Sequence, residues 1–173
     1  KYWPTWLVIG VAWLLCRLPL KWQMRFGRAV GRIVYHAGGR RRSITEVNIG
    51  ICFPELTDEQ RAALVRRTFI SAGMALMETL YAWLRPVDQL SSRIDVIGLD
   101  VLKRVQAQGR GVMLVGAHFL TLDLAGALIT TITDIDVIYR HNKNPVINHL
   151  MVKGRERLYG QVIERANIRK SVR

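Results

Sequence analysis

The first stretch of the chain is apolar without a period. Tyr2 to Cys16 carries no charge, and extension to Trp22 admits only Arg17 and Lys21. From Arg25 a helical spacing takes over, with Arg25, Arg28 and Arg32 opposite Phe26, Val30 and Ile33. Gly38-Gly39 breaks this amphipathic helix, and a short apolar stretch from Val47 to Phe53 meets Pro54. Thr57 as N-cap, with Gln60 at the third helical position, starts a new helix expected to reach Ser71. Gly73 to Leu84 is expected to follow as a second helix. Its Met74, Met77, Tyr81 and Leu84 form a core-facing stripe, and Arg85-Pro86 ends it.

The period changes at Ile94. Ile94 to Ile97 reads as a short strand and Leu99 to Gln108 as a helix. Val112 to Val115 then has the unbroken apolar character of a strand buried on both faces. Leu120 to Thr131 reads as helix and Ile135 to Tyr139 as another strand. Alternating strands and helices predict an α/β fold, in which helices flank a sheet. The expected organisation is a membrane anchor segment over 1–22, a helical basic region over 23–90, and an α/β core over 91–173.

Charge sharpens the picture of the amino-terminal part. Lys and Arg number 26 against 13 Asp and Glu, a formal charge of +13 over 173 residues. Such a surface attracts phosphates, anionic headgroups or an acidic partner. Arg17, Lys21, Arg25, Arg28, Arg32 and Arg40-Arg41-Arg42 follow the apolar stretch with no acid before Glu46. The stretch with its tryptophans Trp3, Trp6, Trp13 and Trp22 is expected to be a short or tilted transmembrane anchor, its basic flank facing the cytoplasm. Because the tryptophans cluster there instead of interleaving with the cations, nucleic acid is not the expected partner. Cys16 and Cys52 lie in apolar sequence and are expected to be inert packing residues; no Cys/His cluster has zinc spacing, so neither metal nor cofactor is expected. The opening on Lys1 and the basic ending at Arg173 are expected to mark a fragment of a longer chain.

The candidate chemistry lies in His118-Phe-Leu-Thr-Leu-Asp123. His118 falls beyond the carboxyl end of the expected Val112–Val115 strand, where α/β sheets bind ligands. Asp123, in the first turn of the next helix, is placed to fix the imidazole tautomer and raise its basicity. Such a pair activates a hydroxyl. With no Gly-x-Ser-x-Gly elbow, direct transfer to a substrate hydroxyl is favoured over a covalent intermediate. Arg140, after the Ile135–Tyr139 strand, is a candidate to steady an oxyanion or to bind a phosphate. Glu78, a lone acid in apolar sequence, either pairs with an arginine or helps shape a site. His36, His141 and His149 have no carboxylate at a telling spacing and are read as non-catalytic.

The string GVMLVGAHFLTLDLAG, from Gly111 to Gly126, resembles the late acyltransferases of lipid A biosynthesis, especially their lauroyl branch. Asn48 to Glu55, Gly73 to Thr79, Val105 to Gly111, and Tyr139-Arg140 with Asn144-Pro145 carry the same resemblance. The resemblance implies a glycerolipid-acyltransferase-like fold and an enzyme at the cytoplasmic face of the bacterial inner membrane. It implies transfer of a fatty acyl group, lauroyl in this branch, from acyl carrier protein to a 3-hydroxyacyl hydroxyl of a phosphorylated, Kdo-bearing lipid A precursor. His118 and Asp123 fall on the family's His-x4-Asp/Glu pair, and Arg140 on its arginine after the next strand. The family's chains are longer, and its later strand and Asp-His-Asp segment are absent, so the carboxyl-terminal part of the core is expected to be missing. A glycerolipid acyltransferase using the same pair, or a catalytically inactive membrane-binding homologue, are the alternatives.

Overall fold

The computed structural model describes residues 2–168. Arg169, Lys170 and Arg173 of the basic ending lie outside the described residues. Helix α1 spans Trp3–Leu15, with Pro4 in its first turn, where the missing N–H costs nothing. At 1.5 Å per residue its 13 residues extend about 20 Å, against a hydrocarbon core of about 30 Å. Among the described residues no helix is long and apolar enough to cross a membrane, which corrects the expectation of a transmembrane anchor. The apolar sequence stops being one helix at Cys16: Gln23 Nε2 donates to the carbonyls of Cys16 and Leu18, at 3.2 and 2.8 Å, and fixes a turn there. Only Ala12 of α1 is buried, and its tryptophans and Leu7, Val8, Val11 and Leu14 stand exposed.

Helix α2 (Leu20–Ala37) packs along α4 (Asp58–Leu84) through Gln23, Gly27 and Gly31, four residues apart on one face. A Cβ at Gly27 would lie 2.7 Å from the carbonyl oxygen of Gly73. The two backbones therefore touch, as in the small-residue crossings of membrane helices. Gly73 serves this crossing and does not end a helix. The two helices expected on either side of it are one, because close packing offsets the roughly 1 kcal/mol propensity cost of glycine. The Thr57–Gln60 capping box forms in both directions. The Gly38-Gly39 break is also present, but α3 runs from Gly39 through Cys52 and absorbs the apolar stretch from Val47. There Ile49 joins Val65 and Phe69 in a core, with Tyr35 edge-on to Phe69. Cys52 is exposed, contrary to its expected packing role; Cys16 is buried, which pushes its thiol up to about 11.

Helix α5 (Leu99–Gln106), α6 (Leu122–Ile129) and β1 (Val137–Tyr139) fall within their expected ranges. Helix α7 (Pro145–Glu156) leads to β2 (Val162–Glu164), a strand the sequence pattern did not announce. Strands β1 and β2 pair in parallel, Val137 with Val162 and Tyr139 with Glu164. The architecture is thus mostly helical α/β with a small parallel sheet. Tyr81, Ala82, Val87, Leu90, Ala127 and Leu128 form the core that joins the end of α4 to α6.

Ile94 to Ile97 and Val112 to Val115 are not strands. An apolar strand needs neighbours on both edges and cover on both faces, and Met113 and Val115 are 86% and 89% exposed. No backbone N–H from Arg110 to His118 donates to another backbone group among the described residues. One further contact joins distant parts. Asn144 accepts from the N–H groups of Val146 and Ile147 as N-cap of α7, while its Nδ2 donates to Thr5 Oγ1 of α1 at 3.2 Å.

Candidate active site

Helix α6 begins at Leu122 and puts Asp123 in its first turn, where the helix dipole favours a carboxylate. The carboxylate, its side chain 25% exposed, faces α7 and the end of α4. Arg155 of α7 donates to Asp123 Oδ1 twice, from Nη2 at 2.6 Å and Nε at 3.2 Å. Trp83 Nε1 donates to the same oxygen at 3.3 Å. All three bonds fall on Oδ1; among the described residues Oδ2 accepts none.

Two glycines allow this convergence. A Cβ at Gly154 would stand 2.7 Å from Trp83 Cβ, so α7 rests directly on the end of α4 and presents the next residue, Arg155, to the carboxylate. Gly126, one turn beyond Asp123, leaves room for the hydroxyl of Tyr159 against its α-carbon. Burial pushes the Tyr159 phenol upward; the nearby Asp123 charge adds to that, and Arg155 opposes it. Arg157 completes the seam by donating to the carbonyl of Trp83 at 2.9 Å, one of the open carbonyls at the end of α4.

His118 is exposed in the irregular segment before α6, and no hydrogen bond or ion pair joins it to Asp123. The expected pair is therefore not closed in this structure. The cause is local: without the Val112–Val115 strand nothing delivers the histidine to the sheet edge. Arg140 is exposed directly after β1, in a pocket with His141, Glu164, Arg165 and Ala166. Among the described residues Glu78 has no ion-pair partner and its Oε2 has no hydrogen bond; burial pushes its carboxyl upward.

Sequence reasoning missed Arg155, Trp83 and Tyr159 as parts of the site. The signal available for Arg155 was Gly154 beside it, a close-approach residue inside a helix. Among the described residues no group of His, Cys, Asp and Glu side chains could hold a metal ion.

The family profile for bacterial lipid A biosynthesis acyltransferases matches residues 1–173. The chain is 38% identical over 169 residues to a lipid A biosynthesis lauroyltransferase of Escherichia coli (strain K12), covering 98% of this chain and 55% of that protein. It is equally similar, with the same coverage, to a lipid A biosynthesis palmitoleoyltransferase of that organism. A lipid A biosynthesis acyltransferase of Haemophilus influenzae is 32% identical over 171 residues, 98% of this chain and 54% of that one. The chain thus spans about half the length of the curated relatives it matches. No solved structure matches significantly.

Proposed function

This chain belongs to the bacterial lipid A biosynthesis acyltransferase family, and from that premise we propose that it carries the acid–base centre of an O-acyltransferase. The donor is acyl carrier protein bearing a fatty acyl thioester, lauroyl in the branch the chain resembles. The acceptor is a 3-hydroxyacyl hydroxyl on a phosphorylated, Kdo-bearing lipid A precursor. The observation that carries the reading is the state of Asp123: Oδ1 is taken by Arg155 and Trp83, and Oδ2 is open. A carboxylate so oriented accepts from one imidazole nitrogen and leaves the other as base.

His118 lies five residues before Asp123, at the end of a segment whose N–H groups from Arg110 to His118 donate to no backbone acceptor among the described residues. Closing that segment onto α6 brings the imidazole to Oδ2. His118 then takes the acceptor's hydroxyl proton as the oxygen attacks the thioester carbonyl. The C–S bond breaks on collapse of the tetrahedral intermediate, and the imidazolium returns the proton to the departing thiolate. Arg140 is the further cation of the site, and Arg155 acts through Asp123 as a positioning residue.

Attachment to the cytoplasmic face of the inner membrane is part of the same proposal. In support, Trp3, Trp6, Trp13 and Trp22 are exposed, with the Arg17 guanidinium 3.7 Å from the Trp13 ring and Arg25 4.8 Å from that of Trp22. A groove of about 440 Å³ on α2, lined by Leu20, Met24, Lys21, Arg25 and Arg28, pairs apolar floor with cationic rim. That chemistry suits a helix lying in an interface.

The test is acyl transfer by the full-length protein. His118→Ala is expected to lose about 10²- to 10⁴-fold in kcat, the usual contribution of a positioned base. Near-normal turnover by the folded variant refutes the assignment. Offering a lysophosphatidate acceptor in parallel separates the glycerolipid alternative, and no transfer to either acceptor by the unaltered protein supports the inactive homologue.

A further inference from the structure

Tyr159 is held more firmly than its place beyond the end of α7 suggests. Its N–H donates to the carbonyl of Arg155 at 2.9 Å, and the N–H of Gly160 donates to the carbonyl of Ile135, just before β1, at 3.0 Å. Leu158, on the other side, packs against the core that joins α4 to α6. The backbone is thus pinned on both sides of the phenol, whose hydroxyl rests against the α-carbon of Gly126.

Gly126 follows Asp123 by three residues on α6 and shares its face of the helix. A Cβ at Gly126 would lie about 5–6 Å from that of Asp123, roughly the reach of a carboxylate oxygen plus one hydrogen bond. The Tyr159 hydroxyl stands against that Cβ position. Asp123 of α6 and Arg155 of α7 are the charged groups that act on the half-buried phenol, and α4 adds the uncharged Trp83 beside them. Among the described residues the hydroxyl has no hydrogen-bond partner, and neither has Asp123 Oδ2. An unused donor and an unused acceptor therefore stand one helical turn apart, where leaving both unmet is unfavourable.

We propose that Tyr159 is a further positioning residue, its hydroxyl donating to Oδ2 of Asp123 and fixing the carboxylate from its second side. That Asp123 belongs to an acid–base centre rests on the function proposed above. Bonds on Oδ1 alone let the carboxylate swing Oδ2 about that anchor, and a donor on Oδ2 removes the swing. An ionised carboxylate oxygen has two lone-pair sites, so one accepts from Tyr159 and the other stays open to the His118 imidazole. A phenol does this without cancelling the charge. Burial and the Asp123 charge both keep its proton in place, so the carboxylate retains the negative charge that steadies an imidazolium.

The experiment uses the full-length protein with Tyr159→Phe, Asp123→Asn and the double variant, compared by denaturant unfolding. The bond is expected to appear as a coupling of about tenfold in the unfolding equilibrium, the low end for a hydrogen bond to an ionised group. A coupling below about twofold overturns the proposal. Gly126→Ala reaches the same contact from the other side. In the unaltered protein its methyl collides with the hydroxyl, and the unfolding equilibrium is expected to shift about tenfold towards the unfolded chain. In Tyr159→Phe the methyl meets Cζ of the ring at 3.5 Å, an ordinary contact, and the same substitution is expected to be neutral. Equal costs in the two backgrounds place the hydroxyl elsewhere and overturn the proposal.

Acyl transfer then separates positioning from packing. Tyr159→Phe is expected to lower kcat about tenfold with KM unchanged. The acid limb of kcat/KM is expected to move to higher pH, because the ionised carboxylate has lost a donor. An unchanged kcat and pH profile in a folded variant that shows the coupling make the bond structural and overturn the positioning role. If the unaltered protein transfers no acyl group, the acyl-transfer reading fails, while the two unfolding comparisons still decide whether Tyr159 holds the carboxylate.

Discussion

Arg155→Met tests whether the contact at Asp123 is an energetic centre or a surface ornament. The substitution keeps the length and most of the apolar stem and removes the charge and both donors. The side chains of Arg155 and Asp123 are 20% and 25% exposed, so the pair sits between two regimes. Exposed pairs are worth about 0–1 kcal/mol, and breaking a fully buried one costs about 3–5 kcal/mol. Partial exposure discounts the second figure to about 2 kcal/mol, with Trp83 Nε1 left as the remaining donor on Oδ1. For a chain of this size that is a fall in Tm of about 4–8 °C. The assay is denaturant unfolding of Arg155→Met, Asp123→Asn and the double variant, followed by circular dichroism. The cycle is expected to yield a coupling of about 1–2 kcal/mol with unchanged m-values. Arg155→Lys, which can restore charge but not the paired Nε and Nη2 contacts, is expected to recover only part of it. A coupling below about 0.5 kcal/mol refutes the reasoning, because the two side chains would then be neighbours without being partners.

Two other perturbations probe the scaffold. Gly31→Ala forces a Cβ to 2.7 Å from the Ile70 α-carbon and is expected to cost about 1–3 kcal/mol by thermal unfolding, whereas Gly50→Ala, with nothing within 4 Å, is expected to gain about 0.5–1 kcal/mol. An equal response at the two positions contradicts the backbone contact. Glu78→Gln addresses a carboxyl that burial pushes upward. A raised acid pKa gives stability that is fully present below the unfolded value of about 4.3 and is lost as pH rises through the folded value. Glu78→Gln is therefore expected to stabilise at pH 7 and to lose that advantage in acid; unfolding curves with parallel pH dependence for both proteins contradict it.

Local signals in the sequence were sound wherever the structure obeys local rules. The Thr57–Gln60 capping box, the Gly38-Gly39 break, α5, α6 and β1 all follow from neighbours a few residues apart. The failures share a cause. Val112 to Val115 is as apolar as a buried strand, but a strand exists only where partners flank it, and no short-range pattern reports that. Gly73 reads as a breaker from sequence, and only the facing Gly27 and Gly31 make it a contact. Strand β2, Val162–Glu164, is too short to show a period. In the candidate site, Asp123 was legible as a residue and illegible as an environment. Its partners Arg155 and Trp83 lie 32 and 40 residues away and meet it only through the packing of α7 on α4.

The bond between Thr5 and Asn144 gives the amino-terminal helix a second significance. Asn144 begins the helix that carries Arg155 and, through it, the carboxylate of Asp123. The apolar first helix is therefore a strut of the fold. Trimming it to obtain a better-behaved protein takes away an acceptor from the N-cap of the helix on which the proposed acid–base centre leans. A shortened preparation with weak activity would report a loosened scaffold as readily as lost access to lipid. Restoring the lipid alone would not repair it.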